Sequence, residues 1–142
     1  MVSLFQDALI EHLQSIVNAR EYFGELSTPE KPMLTKSDLP VVLVDFTGDR
    51  YVSPMQKENY FNLYVVHMTY SKNRKYRSDN EKSLLELMTQ IDRHINLKQM
   101  EGFEEIRLDR LQKIYDAASD AGYLCVYMRS IRVVKDYMKE GC

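Results

Sequence analysis

Residues 60–70 read YFNLYVVHMTY and residues 123–134 read YLCVYMRSIRVV. Both stretches are rich in β-branched and aromatic residues, and each is longer than a typical strand of about five or six residues. Segments with helical periodicity precede them, so the elements follow the order helix, strand, strand, helix, strand, strand. This order predicts an α+β protein with a mostly antiparallel four-stranded sheet and two amphipathic helices packed on one face.

Two segments have the apolar spacing of amphipathic helices. The first helix is predicted from Ser3 to Tyr22, because Ser3 and Gln6 have the spacing of a capping box and apolar residues then recur every three or four positions. The second is predicted to begin at Ser78, which forms the same pattern with Glu81. Its apolar stripe consists of Leu84, Leu87, Met88, Ile91 and Ile95.

The remaining strands follow from shorter patterns. The run from Val41 to Phe46 is apolar and β-branched, which predicts a buried strand that ends in a turn at residues 47–49. Residues 103–115 alternate as a half-exposed strand does, although Leu111 breaks the register and predicts a β-bulge. Small residues and Gly122 then predict the reversal of a hairpin formed by the last two strands.

Composition restricts the classes of protein that this sequence fits. The chain has 142 residues, 44% of them hydrophobic and 28% charged, and a net charge of −2. These values predict a single domain over residues 1–142 and provide no overall positive field for nucleic acid or anionic lipid. We find neither an apolar run of membrane-spanning length nor a signal-peptide pattern, so the cytoplasm is the expected compartment and no membrane partner is expected.

The sequence carries no recognisable catalytic pattern. His12, His67 and His94 lack the paired spacing of metal ligands, and the five glycines form no phosphate-binding loop. Cys125 and Cys142 are too few for a disulfide framework or a thiolate zinc site, and both are expected to be free thiols. We therefore predict no catalytic residues, no cofactor and no metal site, and expect that the protein is not an enzyme.

Three surfaces are candidates for binding a partner. The alternation of residues 60–70 places Tyr60 and Tyr64 on a face that another subunit could cover. Arg129 and Arg132 lie on the last strand, where mixed charge fits either a wet sheet face or a subunit contact. Arg74, Lys75 and Arg77 belong to the basic segment 72–77, which fits a solvated loop or, as a second reading, a contact to nucleic acid with Tyr76 stacked on a base.

The chain resembles phage tail terminators, in particular the small tail-completion proteins of Mu-like prophages and their lambda-type relatives. The resemblance lies in the order and spacing of elements that span nearly the whole sequence. The matching parts are the amphipathic helix Leu4 to Arg20, the segment Leu39-Pro40-Val41-Val42-Leu43-Val44, the long tyrosine-rich strand, the helix Leu84 to Leu97 and the closing hairpin around Gly122-Tyr123.

The resemblance implies a structural protein that forms a ring, typically a hexamer, on the last ring of the tail tube. Such a ring stops tube polymerisation and presents a surface to the head-tail connector protein. The implied partners are other copies of the chain, the tail-tube protein and the connector. The implied locations are the host cytoplasm during assembly and the virion tail. The competing class is an accessory protein that binds nucleic acid through residues 72–77.

Overall fold

The computed structural model describes residues 2–69, 74–100, 102–120 and 122–137. It is an α+β fold with two helices and a five-stranded mixed sheet. The helices are α1, Val2–Leu13, and α2, Arg74–Ile95, with a short 3-10 helix at Lys36–Asp38. The strands are β1, Asn18–Glu21; β2, Val41–Ser53; β3, Gln56–Thr69; β4, Arg107–Ser119; and β5, Gly122–Asp136.

The strands lie in the order β1-β2-β3-β5-β4. The four strands from β2 to β4 pair antiparallel, as the sequence predicted. The fifth strand was not predicted: β1 pairs parallel with the first residues of β2 and places Ala19 opposite Val42. The predicted helix 3–22 therefore contains a helix, a reversal and a strand.

The reversal after α1 has a local cause. The Gln14 side chain donates a hydrogen bond to the carbonyl of Ala19 at 3.0 Å, and the Ser15 hydroxyl donates to the carbonyl of His12 at 2.9 Å. Such side-chain bonds to the backbone compete with continuation of a helix. The amide of Gln6, predicted to cap α1, instead lies 3.4 Å from the carbonyl of Val44.

The predicted turn at residues 47–49 is wrong. β2 continues to Ser53, with a register shift between Phe46 and Gly48 that forms a bulge. Gly48 has a φ of 149°, a value that residues with a side chain rarely adopt. The chain reverses between Ser53 and Gln56, so β2 and β3 form a hairpin longer than the sequence indicated.

The other boundaries differ less. α2 begins at Arg74, four residues before the predicted start at Ser78, and β4 occupies residues 107–119 instead of 103–115. The bulge predicted near Leu111 is confirmed by a register shift between Leu108 and Leu111. The predicted hairpin of the last two strands is also confirmed, with Ser119 opposite Gly122.

The main core lies between the two helices and one face of the sheet, which we call the helix face. Phe5 occupies its centre, with ring centroids 5.1 Å from Phe61 and 5.0 Å from Phe103. Leu84, Met88, Ile91 and Ile95 of the predicted stripe in α2 are buried in this core, whereas Leu87 is partly buried against it. The helices therefore cover one face of the sheet, as predicted.

A second, smaller core lies on the opposite face of the sheet, which we call the outer face. Part of this face is covered by the connector, residues 22–39, which supplies buried Leu34 and the partly buried Tyr22, Leu26 and Leu39. These residues pack on Val41, Leu43, Val66, Met68, Leu124 and Val126. The outer face is thus closed by the chain itself at one end of the strands.

Candidate interaction surfaces

The two predicted tyrosines lie in different surroundings on the outer face. Tyr64 is half-buried, and its ring centroid lies 5.0 Å from that of Tyr22 in the connector. Tyr60 lies beyond the connector core, opposite Arg132 of β5 and Gly48 of β2. The connector therefore packs beside Tyr64 but not beside Tyr60.

Tyr60 belongs to a charged group that we call the Glu58 cluster. Its hydroxyl donates a hydrogen bond of 2.5 Å to the Glu58 carboxylate, which lies 3.7 Å from Arg132 and 3.9 Å from Arg50. The hydrogen bond to Glu58 raises the pKa of Tyr60, because it is lost when the hydroxyl ionises. Glu58 is only 8% exposed, whereas both arginines are exposed, so the cluster presents cations around a buried anion.

Arg129 lies on the helix face. Its guanidinium makes two hydrogen bonds to the Asp92 carboxylate of α2, at 3.0 and 2.6 Å, and its side chain is only 12% exposed. Paired bonds of this kind fix the orientation of both groups. Arg129 therefore joins α2 to the sheet, whereas Arg132, its predicted companion, points to the outer face.

The basic segment is partly helical in the described residues. Residues 72 and 73 and the side chain of Arg74 lie outside the described part, whereas residues 74–77 form the start of α2. The guanidinium of Arg77 lies 3.4 Å from the ring centroid of Tyr123, a cation–π contact. Lys75 and Tyr76 are exposed. The predicted solvated loop is thus replaced, over residues 74–77, by a helical turn fixed to β5.

The structure brings together two histidines that the sequence left apart. The rings of His12 and His94 are stacked, with centroids 3.8 Å apart and planes 4° from parallel. Each Nε2 lies within 2.9 Å of the other residue's carbonyl oxygen. Both residues lie in the last turn of a helix. The sequence did not indicate this pairing, because the first helix was predicted to continue to Tyr22 and His12 was therefore expected in its middle. The pair joins the ends of α1 and α2.

The described residues contain no group of three or more potential metal ligands. Cys125 is buried and free, and burial raises the pKa of its thiol to about 12. A thiol of that pKa is protonated at neutral pH and is therefore a poor nucleophile. Cys142 lies outside the described residues. Neither helix in the described ranges combines the length and the apolar character needed to cross a membrane.

A cavity of about 550 Å³ lies between the connector and the start of α2. His67 is half-buried there, and its Nδ1 has no hydrogen-bond partner in the described part of the chain. Charged residues at this cavity are Lys36 and Asp79, and Glu86 lines a neighbouring cavity that His67 also borders. Burial lowers the pKa of His67 below its ordinary value of 6.5.

This lowered pKa predicts a loss of stability in acid. As the pH falls through 6.5, the unfolded chain binds a proton at His67 before the folded chain does. The free energy of unfolding should therefore decrease as the pH falls below 6.5. Urea denaturation across this range should show the decrease, and His67→Gln should reduce it while His12 and His94 remain. Equal pH dependence in both proteins would contradict the prediction.

The sheet ends in two open edges. β4 is the outermost strand on one side, and within the described residues its backbone ladder is formed with β5 alone. On the other side, β1 covers only Val41–Val44 of β2, and among the residues that the structure describes the rest of β2 pairs with β3 alone. Unpaired strand edges are ready-made sites for pairing with another chain.

Large apolar side chains accompany both edges. On β4, Leu111 and Ile114 are 37% and 40% exposed. On the uncovered part of β2, Tyr51 and Val52 are 61% and 46% exposed, and Met55 follows in the turn. We call the first set the β4 edge and the second the β2 tip. Because the two sets lie at opposite edges of the sheet, one molecule presents two separate apolar edges.

No protein-family model matches this sequence, and the search of curated proteins finds no significant match. The bearing of the structure on function therefore rests on the fold and on the surfaces described above.

Proposed function

We propose that the protein is a phage tail terminator, which caps the tail tube as a ring of identical copies and offers a surface for joining the head. The proposal rests on the resemblance in element order and is supported most by the two open edges. A contact between different surfaces on identical subunits generates a closed ring when the rotation between copies is right. A molecule with two separate open edges is suited to such a contact.

The strand directions add to this support. Three antiparallel pairings separate β2 from β4, so these strands run in opposite directions. Copies placed side by side in the same orientation would therefore set β4 of one antiparallel to β2 of the next. Leu111 lies level with Val44, which β1 covers, so the β4 edge meets the β2 tip only if neighbouring copies are displaced along the strands by about seven residues. Antiparallel pairing forms a well-aligned ladder. Ring closure would thereby remove both free edges at once.

The outer face offers the second kind of contact that a terminator needs. In our proposal this surface contacts the tail tube or the head-tail connector protein. The contact is made by the exposed residues Arg50 and Arg132 of the Glu58 cluster and Phe23 and Met33 of the segment 22–39. Charged groups at the margin of such a contact mainly set orientation and reject wrong partners. Arg129 has no part in this surface, since Asp92 binds it on the helix face.

The proposal predicts that the protein shortens tail tubes. Purified tail-tube protein should be allowed to polymerise with and without this chain, and tube lengths measured by electron microscopy. We expect shorter tubes with one ring of density at one end, and light scattering should give a ring-sized mass for the chain on the tube, or alone at high concentration. A mass of one chain in every condition, with no effect on tube length, would contradict the proposal.

The nucleic-acid alternative has its own test. DNA binding that weakens with salt and is lost in the variant Lys75→Ala/Arg77→Ala would favour it.

A further inference from the structure

The outer face of the sheet has two unlike ends. The connector, residues 22–39, packs on the end that contains Leu43. The core under the connector does not extend to the opposite end, which we call the bare end and which carries Arg50, Tyr60 and Arg132. Each face therefore has a raised half and a bare half. Two such faces fit together about a two-fold axis, because the raised half of each then lies on the bare half of the other.

The bare end carries positive charge that a partner can reach. Arg132 and Arg50 are both exposed and share one carboxylate, that of Glu58, at 3.7 and 3.9 Å. These distances exceed those of a hydrogen bond, and one carboxylate balances only one of the two guanidinium groups. An arginine has five N–H donors, so Arg132 can donate to a carboxylate of another molecule.

Asp45 supplies the opposite charge at the margin of the connector. It lies on the outer face, because Val41 and Leu43 at alternate positions of β2 belong to the core of that face. The Asp45 side chain is partly exposed and has no hydrogen bond or ion pair within the described part of the chain. Burial raises the pKa of its carboxyl group, since no partner compensates for the lost hydration. A cation from outside the molecule would provide that compensation.

The register places these two charges in a geometry suited to a two-fold contact. Asp45 lies opposite Asn62, and Asn62 lies opposite Ser130. Arg132 is two residues beyond Ser130 on β5, hence on the same face and one step toward the bare end. Strand spacing puts the Cα atoms of Asp45 and Arg132 about 12 Å apart. A two-fold axis midway between them sets each Asp45 against the Arg132 of the second copy.

We propose that two copies of this chain pair through their outer faces about such an axis. Two ion pairs, each between Asp45 of one copy and Arg132 of the other, hold the dimer, with Tyr60 and Asn62 near the axis. The connector of each copy lies on the bare end of the other. The dimer uses neither the β4 edge nor the β2 tip. It covers the surface that the proposed function assigns to the tail tube, and if that function is right the tube must displace one copy.

Exchange of the two charges tests the contact. Sedimentation of the full chain at low salt, over about 1 µM to 1 mM, should give a mass of two chains for the wild-type protein. Asp45→Arg and Arg132→Asp should each raise the dissociation constant at least about tenfold, because each places like charges opposite one another. An equimolar mixture of the two variants should restore the dimer, since each copy then supplies the charge that the other lacks. This recovery would also show that both variants fold.

Matched changes elsewhere control for altered net charge. Asp7→Arg and Arg93→Asp, at exposed positions on α1 and α2, should leave the dimer unchanged. The proposal is overturned if the wild-type protein forms no dimer, if either single variant pairs as the wild type does, if the mixture fails to recover, or if the controls lose the dimer equally. Asp45→Arg keeps both sheet edges, so tube capping and edge assembly measured with this variant test the proposed function separately.

Discussion

Replacing Leu111 and Ile114 together by Lys should abolish the proposed ring assembly and leave the fold intact. The two side chains are more than a third exposed, so their replacement should change the free energy of unfolding by less than about 1 kcal/mol. Two added ammonium groups on the β4 edge oppose the approach of another strand, as lysines on natural edge strands do. We expect the apparent dissociation constant of the assembly to rise at least about 100-fold. Light scattering over a range of concentrations, with and without tail-tube protein, measures it.

The matched control is Leu4→Lys/Leu85→Lys. Both leucines are exposed, at 64% and 40%, and lie on helices, away from the sheet edges. The charge change is identical, so a general effect of added positive charge would appear in both proteins. Normal assembly of the edge variant, or equal loss in the control, would show that the β4 edge does not form the contact.

Mixing variants tests whether the contact joins two different surfaces. Tyr51→Lys/Val52→Lys should disable the β2 tip and leave the β4 edge free. A mixture with the β4-edge variant should then give pairs of chains, joined through the one intact edge of each, and no rings. If β4 instead paired with β4 of a second copy, the β2-tip variant would assemble normally by itself. The mass of the mixture therefore distinguishes the two geometries.

The strongest sequence patterns gave the four antiparallel strands, the closing hairpin and the helix-covered face. The alternation of residues 60–70 placed Phe61, Leu63 and Val65 on one face, and these residues form the main core. This prediction is correct because the burial of one face determines which alternate residues of a strand point toward the core. β1 was not predicted, because its four residues form a strand by pairing with Val41–Val44. This interaction is non-local, and the periodicity of the sequence does not indicate it.

The surfaces were harder to predict than the core. The sequence grouped Arg129 with Arg132 because both are arginines of one strand. They lie three positions apart, however, and an odd offset places two residues of a strand on opposite faces of the sheet. A register shift in β4 leaves Arg107 opposite Arg132 and Leu111 opposite Arg129. The connector's cover over Tyr64 and the stacking of His12 on His94 are likewise tertiary contacts. The sequence alone indicated that these side chains are exposed. Which parts of the sheet remain exposed depends on where irregular segments such as the connector pack.

Replacing Arg129 by Met should destabilise the fold by about 2–3 kcal/mol, whereas Arg132→Ala should cost less than about 1 kcal/mol. Arg129 and Asp92 are 12% and 24% exposed, so removing the guanidinium leaves a carboxylate that solvent reaches only in part. Arg132 is 47% exposed and lies 3.7 Å from its carboxylate partner, a much weaker pair. Urea denaturation of the two variants and the wild-type protein measures the difference.

A double-mutant cycle with Asp92→Asn separates the ion pair from the packing of the arginine stem. If the pair joins α2 to the sheet, the second substitution should recover about 1–2 kcal/mol of the loss caused by Arg129→Met, because no unpaired carboxylate remains. Additive losses would mean that the two side chains act independently. If Arg129→Met instead left the unfolding curve unchanged and prevented assembly, Arg129 would act at a subunit contact, as its sequence suggested, and its bond to Asp92 would have to open when the ring forms.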